Sequence, residues 1–211
     1  MGNDVPDLMK LDRSHIKPAA EVLAKAFMDY PIDRFSFPNI EDRAKKSHYM
    51  HQFVLSCCIQ YGEAYSTSDK FEGIAAWLPP ENAILPIWKL IRSGALIQLS
   101  KFGISSIRKM MMFNRYLEMM HKRIAPYPHW YLWNIGVDPQ FQGKGYAGKL
   151  LLPMLARMDE EGVPCYLETQ REENVALYRH YGFEVADRFV VPVAGFTNWS
   201  VVRDPSNKMH I

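Results

Sequence analysis

The stretch Val137-Asp-Pro-Gln-Phe-Gln-Gly-Lys-Gly-Tyr-Ala-Gly148 holds the residues best placed to bind a charged ligand. It follows an apolar run at 129–137 and leads into a run of helical periodicity from about 145 to 161. A strand that passes through glycines into a helix start aims unpaired backbone N–H groups and the positive end of the helix dipole at one point. A phosphate or pyrophosphate suits such a point, and glycine lets the backbone approach it closely. Gly143-Lys-Gly145-Tyr-Ala-Gly148 formally satisfies the dinucleotide pattern GxGxxG, with Glu168 where a ribose-binding acid would stand. Three features count against that pattern. Asp138 to Gln142 separate the strand from the glycines, only about 65 residues remain for the rest of a doubly wound sheet, and those residues end in two strands without a helix between them. A P-loop is excluded because Lys144 precedes glycine and not Ser or Thr.

Other residues suit proton transfer. Glu168 ends a strand beside the expected cleft and can take a proton directly or through water; the competing roles are a solvated strand end or a charge partner for Arg171. Tyr178 is a phenol, a suitable proton donor at neutral pH. His129 and His180 are alternative bases, with a structural role the commoner expectation for each. His48 and His51 stand three apart on a helix, but no third ligand accompanies them, so no metal is expected. Cys57, Cys58 and Cys165 have no metal-ligand spacing, and neighbouring cysteines rarely bridge each other; reduced, buried thiols in a cytoplasmic protein are expected.

Composition bounds the rest. The chain has 211 residues, 48% hydrophobic and 23% charged, enough for one domain with a substantial core. A net charge of +2 and the lack of any Lys/Arg run give no nucleic-acid surface. The first ten residues carry Asp4 and Asp7 and lack the apolar core of a signal peptide. The most apolar region, 84–113, is interrupted by bases well before the ~18 residues a membrane helix needs, so no membrane partner is expected, attachment to a membrane surface being the lesser reading.

The elements that must position these residues follow from periodicity and breakers. Helices are expected at about 14–30 and 42–62, with a loop at 31–39 between them. Strands are expected at 63–66 and 73–78, and helices over 84–123 with a break near Gly103. A central strand at 129–137, a helix at 145–161, a strand at 163–168, a short helix at 174–181 and strands at 183–191 and 196–203 complete the chain. Pro153 falls inside a helix that it should kink. The string is an α/β arrangement, a mixed sheet with helices on its faces.

The ordered set Gln142-Gly-Lys-Gly145-Tyr-Ala147, Gly162-Val-Pro-Cys-Tyr-Leu-Glu-Thr169 and Leu177-Tyr-Arg-His-Tyr-Gly-Phe183 resembles the Gcn5-related N-acetyltransferase (GNAT) family. The first segment meets its Gln/Arg-x-x-Gly-x-Gly/Ala signature. With Ala26-Phe-Met-Asp-Tyr-Pro31, the set is most similar to the branch containing puromycin N-acetyltransferase. The resemblance implies a single domain over 1–211 with a helical insertion at about 84–124. It implies a mostly antiparallel sheet of six to seven strands with a splayed central pair, acting as a monomer or homodimer. It implies acetyl-CoA as co-substrate, its pantetheine arm along Ile135, Gly136 and Val137 and its pyrophosphate on the amides of Gln142, Gly143, Lys144, Gly145, Tyr146 and Ala147. Asn174 resembles a cofactor-contacting asparagine of the family, a helix N-cap being the other reading. Tyr178 matches the general-acid tyrosine, and Glu168 is the expected base for direct transfer to a small-molecule amine. Tyr30, Trp77 and Trp133, with 191–199, are expected to line the acceptor pocket. A CoA-binding sensor without turnover and a nicotinamide-dinucleotide oxidoreductase are the alternatives.

Overall fold

The computed structural model describes Val5 and residues 7–206, so most of the leader reading and both extremes of the 1–211 span lie outside the described residues. Its strands are β1 (Met9–Lys10), β2 (Glu63–Ser66), β3 (Gly73–Leu78), β4 (Trp130–Val137), β5 (Cys165–Thr169), β6 (Glu184–Val190) and β7 (Thr197–Arg203). Its helices are α1 (Ile16–Phe27), α2 (Pro31–Ser36), α3 (Ile40–Tyr61), α4 (Ile87–Arg92), α5 (Ala95–Leu99), α6 (Ile104–Ile124), α7 (Tyr146–Glu161) and α8 (Glu172–His180). The seven strands form one sheet in the order β1-β2-β3-β4-β5-β7-β6. Every neighbouring pair is antiparallel except β4 and β5, which run parallel. This is the mixed, mostly antiparallel sheet expected from the sequence. It rules out the dinucleotide-binding alternative, which needs a doubly wound parallel sheet.

Alternation along the central strands sends side chains into two cores. Trp77, Trp130, Leu132, Cys165 and Leu167 pack beneath α7 and α8. Ile74, Ala76 and Leu78 pack beneath α1 and α3 with Leu23 and Leu55. Helix α1 approaches closely because its buried face is built from Ala19, Ala20, Val22, Leu23 and Ala24. It lies on Gly136, where an added Cβ would stand 3.0 Å from both Ala26 Cβ and Leu23 Cδ2. Asn39 caps α3, accepting from the N–H groups of Glu41 at 2.9 Å and Asp42 at 3.0 Å.

Three expectations are corrected. Residues 31–36 form helix α2 where a loop was expected: Tyr30 is extended and Pro31 occupies the first turn, where its missing N–H does no harm. The region 84–124 is three helices, broken at Ser93-Gly94 as well as before Gly103; Gly94 adopts φ +94, which favours glycine. Strand β1 has only two residues, too few for a periodicity to show. Helix α7 is unbroken through Pro153.

The contact of α1 with β4 at Gly136 yields a prediction. Gly136→Val should lower the unfolding free energy by about 1–3 kcal/mol through overpacking against α1, measured by urea denaturation; an unchanged midpoint would contradict the packing described.

Candidate active site

Strands β4 and β5 pair only at Trp130↔Cys165 and Tyr131↔Tyr166. Beyond these pairs the two strands continue without partnering each other, and the sheet opens. A register shift contributes: Ala76 faces Asn134 while Trp77 faces Leu132, leaving Trp133 as an extra residue in β4. Such a bulge bends a strand and re-aims its side chains.

The end of β4 leads into the glycine loop. Asp138 is buried; its N–H donates to the Glu72 carbonyl at 2.9 Å, and its carboxylate meets Lys25 of α1 at 3.1 Å. Gly143 and Gly145 take φ values of +76 and +79. Gly145 is the N-cap of α7 and no side chain caps that helix, so its first-turn amides face outward toward any anion. A Cβ at Gly143 or Gly145 would meet nothing within 4 Å, so the loop is open to a ligand and glycine is needed there for conformation. Gln142 donates to the Val137 carbonyl at 3.1 Å. Lys144 is exposed, donating to the Gln140 carbonyl at 3.2 Å beside the Phe141 ring.

On the α3 side of the opening stands Glu168, half-buried. It accepts from Tyr131 Oη at 2.7 Å and Tyr166 Oη at 2.9 Å. Burial pushes its carboxyl up to about 7, against the opposing pull of the two phenol hydrogen bonds. Arg171 is engaged elsewhere: it donates to the Asp29 carbonyl at 2.9 Å and stacks on Tyr30, so it is no partner of Glu168. On the α8 side stands Tyr178, packed edge-to-face on Phe183. Burial raises its phenol well above the ordinary value, so it keeps its proton at neutral pH. Its hydroxyl has no hydrogen-bond partner among the described residues.

The other expected residues divide. Asn174 does not cap α8, whose N-cap is Arg171; its amide instead donates to Thr169 Oγ1 at 3.2 Å and Tyr30 Oη at 3.3 Å. Tyr30 is buried, tying the end of α1 to Thr169 at 2.7 Å and to the Gln170 N–H at 3.1 Å. Trp133 stands at the bulge, edge-on to Phe53 and stacked with Tyr131. Trp77 is fully buried in the core beneath α7, on the opposite sheet face from Tyr131. The expectation that it lines the acceptor pocket is therefore corrected: Trp77 shares its face of β3 with Ala75, while Ala76 and Leu78 face α1 and α3. His180 is exposed on α8.

Two groups escaped the sequence reading. His121 of α6 stacks on Tyr166 (4.1 Å between centroids, 16°) and meets His129 Nε2 at 2.7 Å. His129 in turn donates from Nδ1 to the Tyr127 carbonyl at 2.7 Å, so His121 is the donor to His129. The second group lies behind the bulge. Asp33 and Ser47 are wholly buried and hydrogen-bonded; His51 Nε2 stands 3.5 Å from Asp33, and Asn134 donates to His51 Nδ1 at 2.9 Å. Tyr166 and Glu168 alternate along β5, the one signal from which part of this wall was readable.

A cavity of about 640 Å³ lies instead at the opposite end of β4, between Gly62, Pro79, Trp130 and Arg157. Its Arg157 pairs with Glu161 at 2.7 Å and Glu63 at 2.9 Å. That leaves the opening between β4 and β5 as the place where uncapped amides, an unpaired carboxyl and a free phenol meet.

The pattern of the Acetyltransferase (GNAT) family matches residues 110–183, which span the strand, loop and helices just described. Residues 110–183 thus carry that family's pattern, over about a third of the chain. It is 29% identical over 182 residues to an uncharacterized N-acetyltransferase of Schizosaccharomyces pombe, covering 82% of this chain and 72% of that protein. Among solved structures, an acetyltransferase of Corynebacterium glutamicum shares the fold with a TM-score of 0.64 at 18% identity, over 96% of this chain and 97% of that one. Arylalkylamine N-acetyltransferase 2 of Aedes aegypti does so with 0.63 at 14% identity, over 94% and 98%.

The site yields a pH prediction. Burial drives His121 down to about 3 and lowers His129 as well, so both are neutral when folded. Their unfolded forms bind protons from about pH 6.5. The stability these neutral rings contribute is present above that pH and is lost as pH falls toward the folded values. Glu168 acts oppositely: its raised value makes the folded state lose stability as pH rises from about 4.5 to about 7. The slopes oppose each other between about pH 4.5 and 6.5. Glu168→Gln should therefore steepen the acid loss of stability, by up to about 1.4 kcal/mol per pH unit, and His121→Asn should flatten it. Denaturation midpoints from pH 7 to 5 give the test; parallel curves for both variants would refute it.

Proposed function

We propose that the whole chain acts as one cytoplasmic domain that transfers the acetyl group of acetyl-CoA directly to the amine of a small molecule. The carrying observation is the parted strand pair, with the unpaired Glu168 carboxyl on one face and the free Tyr178 hydroxyl on the other. The residues fit the co-substrate: an uncapped α7 N-terminus and open-sided glycines suit the pyrophosphate, and the backbone of Ile135, Gly136 and Val137 lies beyond the last β4–β5 pair. Acetyl-CoA supplies the activated thioester.

The protein's groups then divide the proton work. An amine arrives protonated and must lose H⁺ before its lone pair can attack. Glu168, near 7, is ionised in part at neutral pH and takes that proton. Backbone N–H groups of β4 past the bulge face the charge that grows on the carbonyl oxygen. Tyr178, protonated by virtue of its burial, gives its proton to the departing sulfur as the C–S bond breaks. The base stands on the face of Tyr131 and Trp133, so the acceptor enters there, against an aromatic wall. That wall suits an amine with an apolar body, as does the likeness to an enzyme named for arylalkylamines. The resemblance to the puromycin-acetylating branch agrees with an amine carried on a large aromatic or nucleoside frame.

Thiol release from acetyl-CoA, followed across arylalkylamines, polyamines and aminonucleosides, tests this directly. With the best acceptor, kcat/KM should rise with pH through about 7, and Glu168→Gln should abolish that inflection with a loss of about 10²-fold or more. Tyr178→Phe should lower kcat with little change in acetyl-CoA affinity. Tight CoA binding without thiol release for any amine would assign a sensing role instead.

A further inference from the structure

Residues 84–124 are unlike the rest of the chain in charge and in surface. They hold eight Lys or Arg and a single acid, Glu118, a net +7 in a chain whose total is +2. Nine of the fourteen exposed large apolar side chains also fall here, among them Ile87 at 71%, Trp88 at 55% and Ile104 at 87% exposure.

On α6 the two kinds of residue interleave. At 100° per residue, Ile104, Arg108, Met111, Arg115, Met119 and Lys122 fall within about 80° of one another, and all six are exposed. Phe113 and Met120, on the opposite side of the helix, are buried, as is His121 on its flank. Glu118 pairs with Lys122, and Arg123 reaches Asp187 of β6. Arg92, Lys101, Arg108 and Arg115 are exposed and have no ion-pair partner among the described residues. Leaving Ile and Met in water between unpaired cations has no rationale in folding, because the same helix buries other apolar residues inward.

We propose that α6 docks the protein on an anionic membrane surface. A second copy would bring one cationic face against another, so the occupant must be negative and apolar at once. A lipid interface meets both demands. Acidic headgroups take the unpaired bases while Ile104, Met111 and Met119 enter the acyl boundary, and the long Arg and Lys stems reach the headgroup level. It also needs no fixed register, which suits bases spaced along a helix with no complementary pocket between them. No helix among the described residues is long and apolar enough to cross a membrane, so the contact is peripheral. This departs from the sequence expectation of no membrane partner, which rested on the absence of a spanning segment and not on which side chains face outward.

The test uses the full chain and vesicle co-sedimentation, which does not depend on acetyl transfer. The protein should sediment with mixed phosphatidylcholine–phosphatidylserine vesicles at low salt, far less with phosphatidylcholine alone, and progressively less as salt is raised. Arg108→Glu/Arg115→Glu should weaken partitioning by about tenfold or more, and Ile104→Ser/Met111→Ser should weaken it comparably, with circular dichroism and acetyltransferase activity preserved in both. Equal binding to neutral and anionic vesicles, or no binding to either, would overturn the proposal. So would a dimer that the Ile104→Ser/Met111→Ser variant dissolves, or retention on polyglutamate without vesicle binding; these would give the face to a second copy or to an acidic protein.

Discussion

The parallel pairing of β4 with β5 is the constraint on which the rest depends. It is the only parallel neighbour pair in an otherwise antiparallel sheet, and it lasts for two residue pairs. Both strands then continue, each held on its far side by an antiparallel partner, β3 or β7. A strand secured on one edge can leave its other edge unpaired without unravelling, so the gap is maintained by neighbours and not by a filling residue. Backbone polar groups left open this way must find water or a ligand. The sheet thus exposes main-chain donors and acceptors at its centre, where other folds would hide them.

The two faces of that gap are built differently. Beneath α7 and α8 lies a dense apolar core of leucine, methionine and aromatic side chains, which holds Tyr178 in place and keeps its phenol neutral. On the other face polar groups are numerous, and each is braced by another: Glu168 by two tyrosines, Tyr166 by the ring of His121, and Asn134 by His51 and Asp33. The contrast separates an apolar side, which carries the proposed acid, from a polar side, which carries the proposed base. Helix α6, from the inserted segment, contributes to the second face through His121, so the insertion is part of the site wall as well as a covering.

Much of this was legible in the sequence, for reasons that differ by element. The glycine loop and the strand before it were readable because positive φ and a buried strand both restrict residue choice locally. Six of the seven strands followed from alternation and breakers, and their mostly antiparallel pairing from the family resemblance, while the two-residue β1 left no trace. Helix α2 was missed because six residues starting at proline and rich in polar and aromatic types carry no periodicity. Trp77 was misplaced because β3 is apolar throughout, so its sequence does not tell which of its alternating faces turns toward the opening. The His121–His129 pair depends on how the turn after α6 folds back, and the Asp33–His51–Asn134 chain on contacts between distant segments, which no local pattern encodes.

The Tyr30 knot reaches further than the two elements it joins. The phenol oxygen of Tyr30 accepts from the Gln170 N–H at 3.1 Å and from the Asn174 amide at 3.3 Å. Thr169 Oγ1, 2.7 Å away, accepts likewise from Asn174 at 3.2 Å and from the Arg171 N–H at 3.4 Å. Every one of these outer donors belongs to the turn after β5 or to the first half of α8. A latch between α1 and β5 therefore also fixes how the chain leaves the parted sheet, and with it where α8 begins.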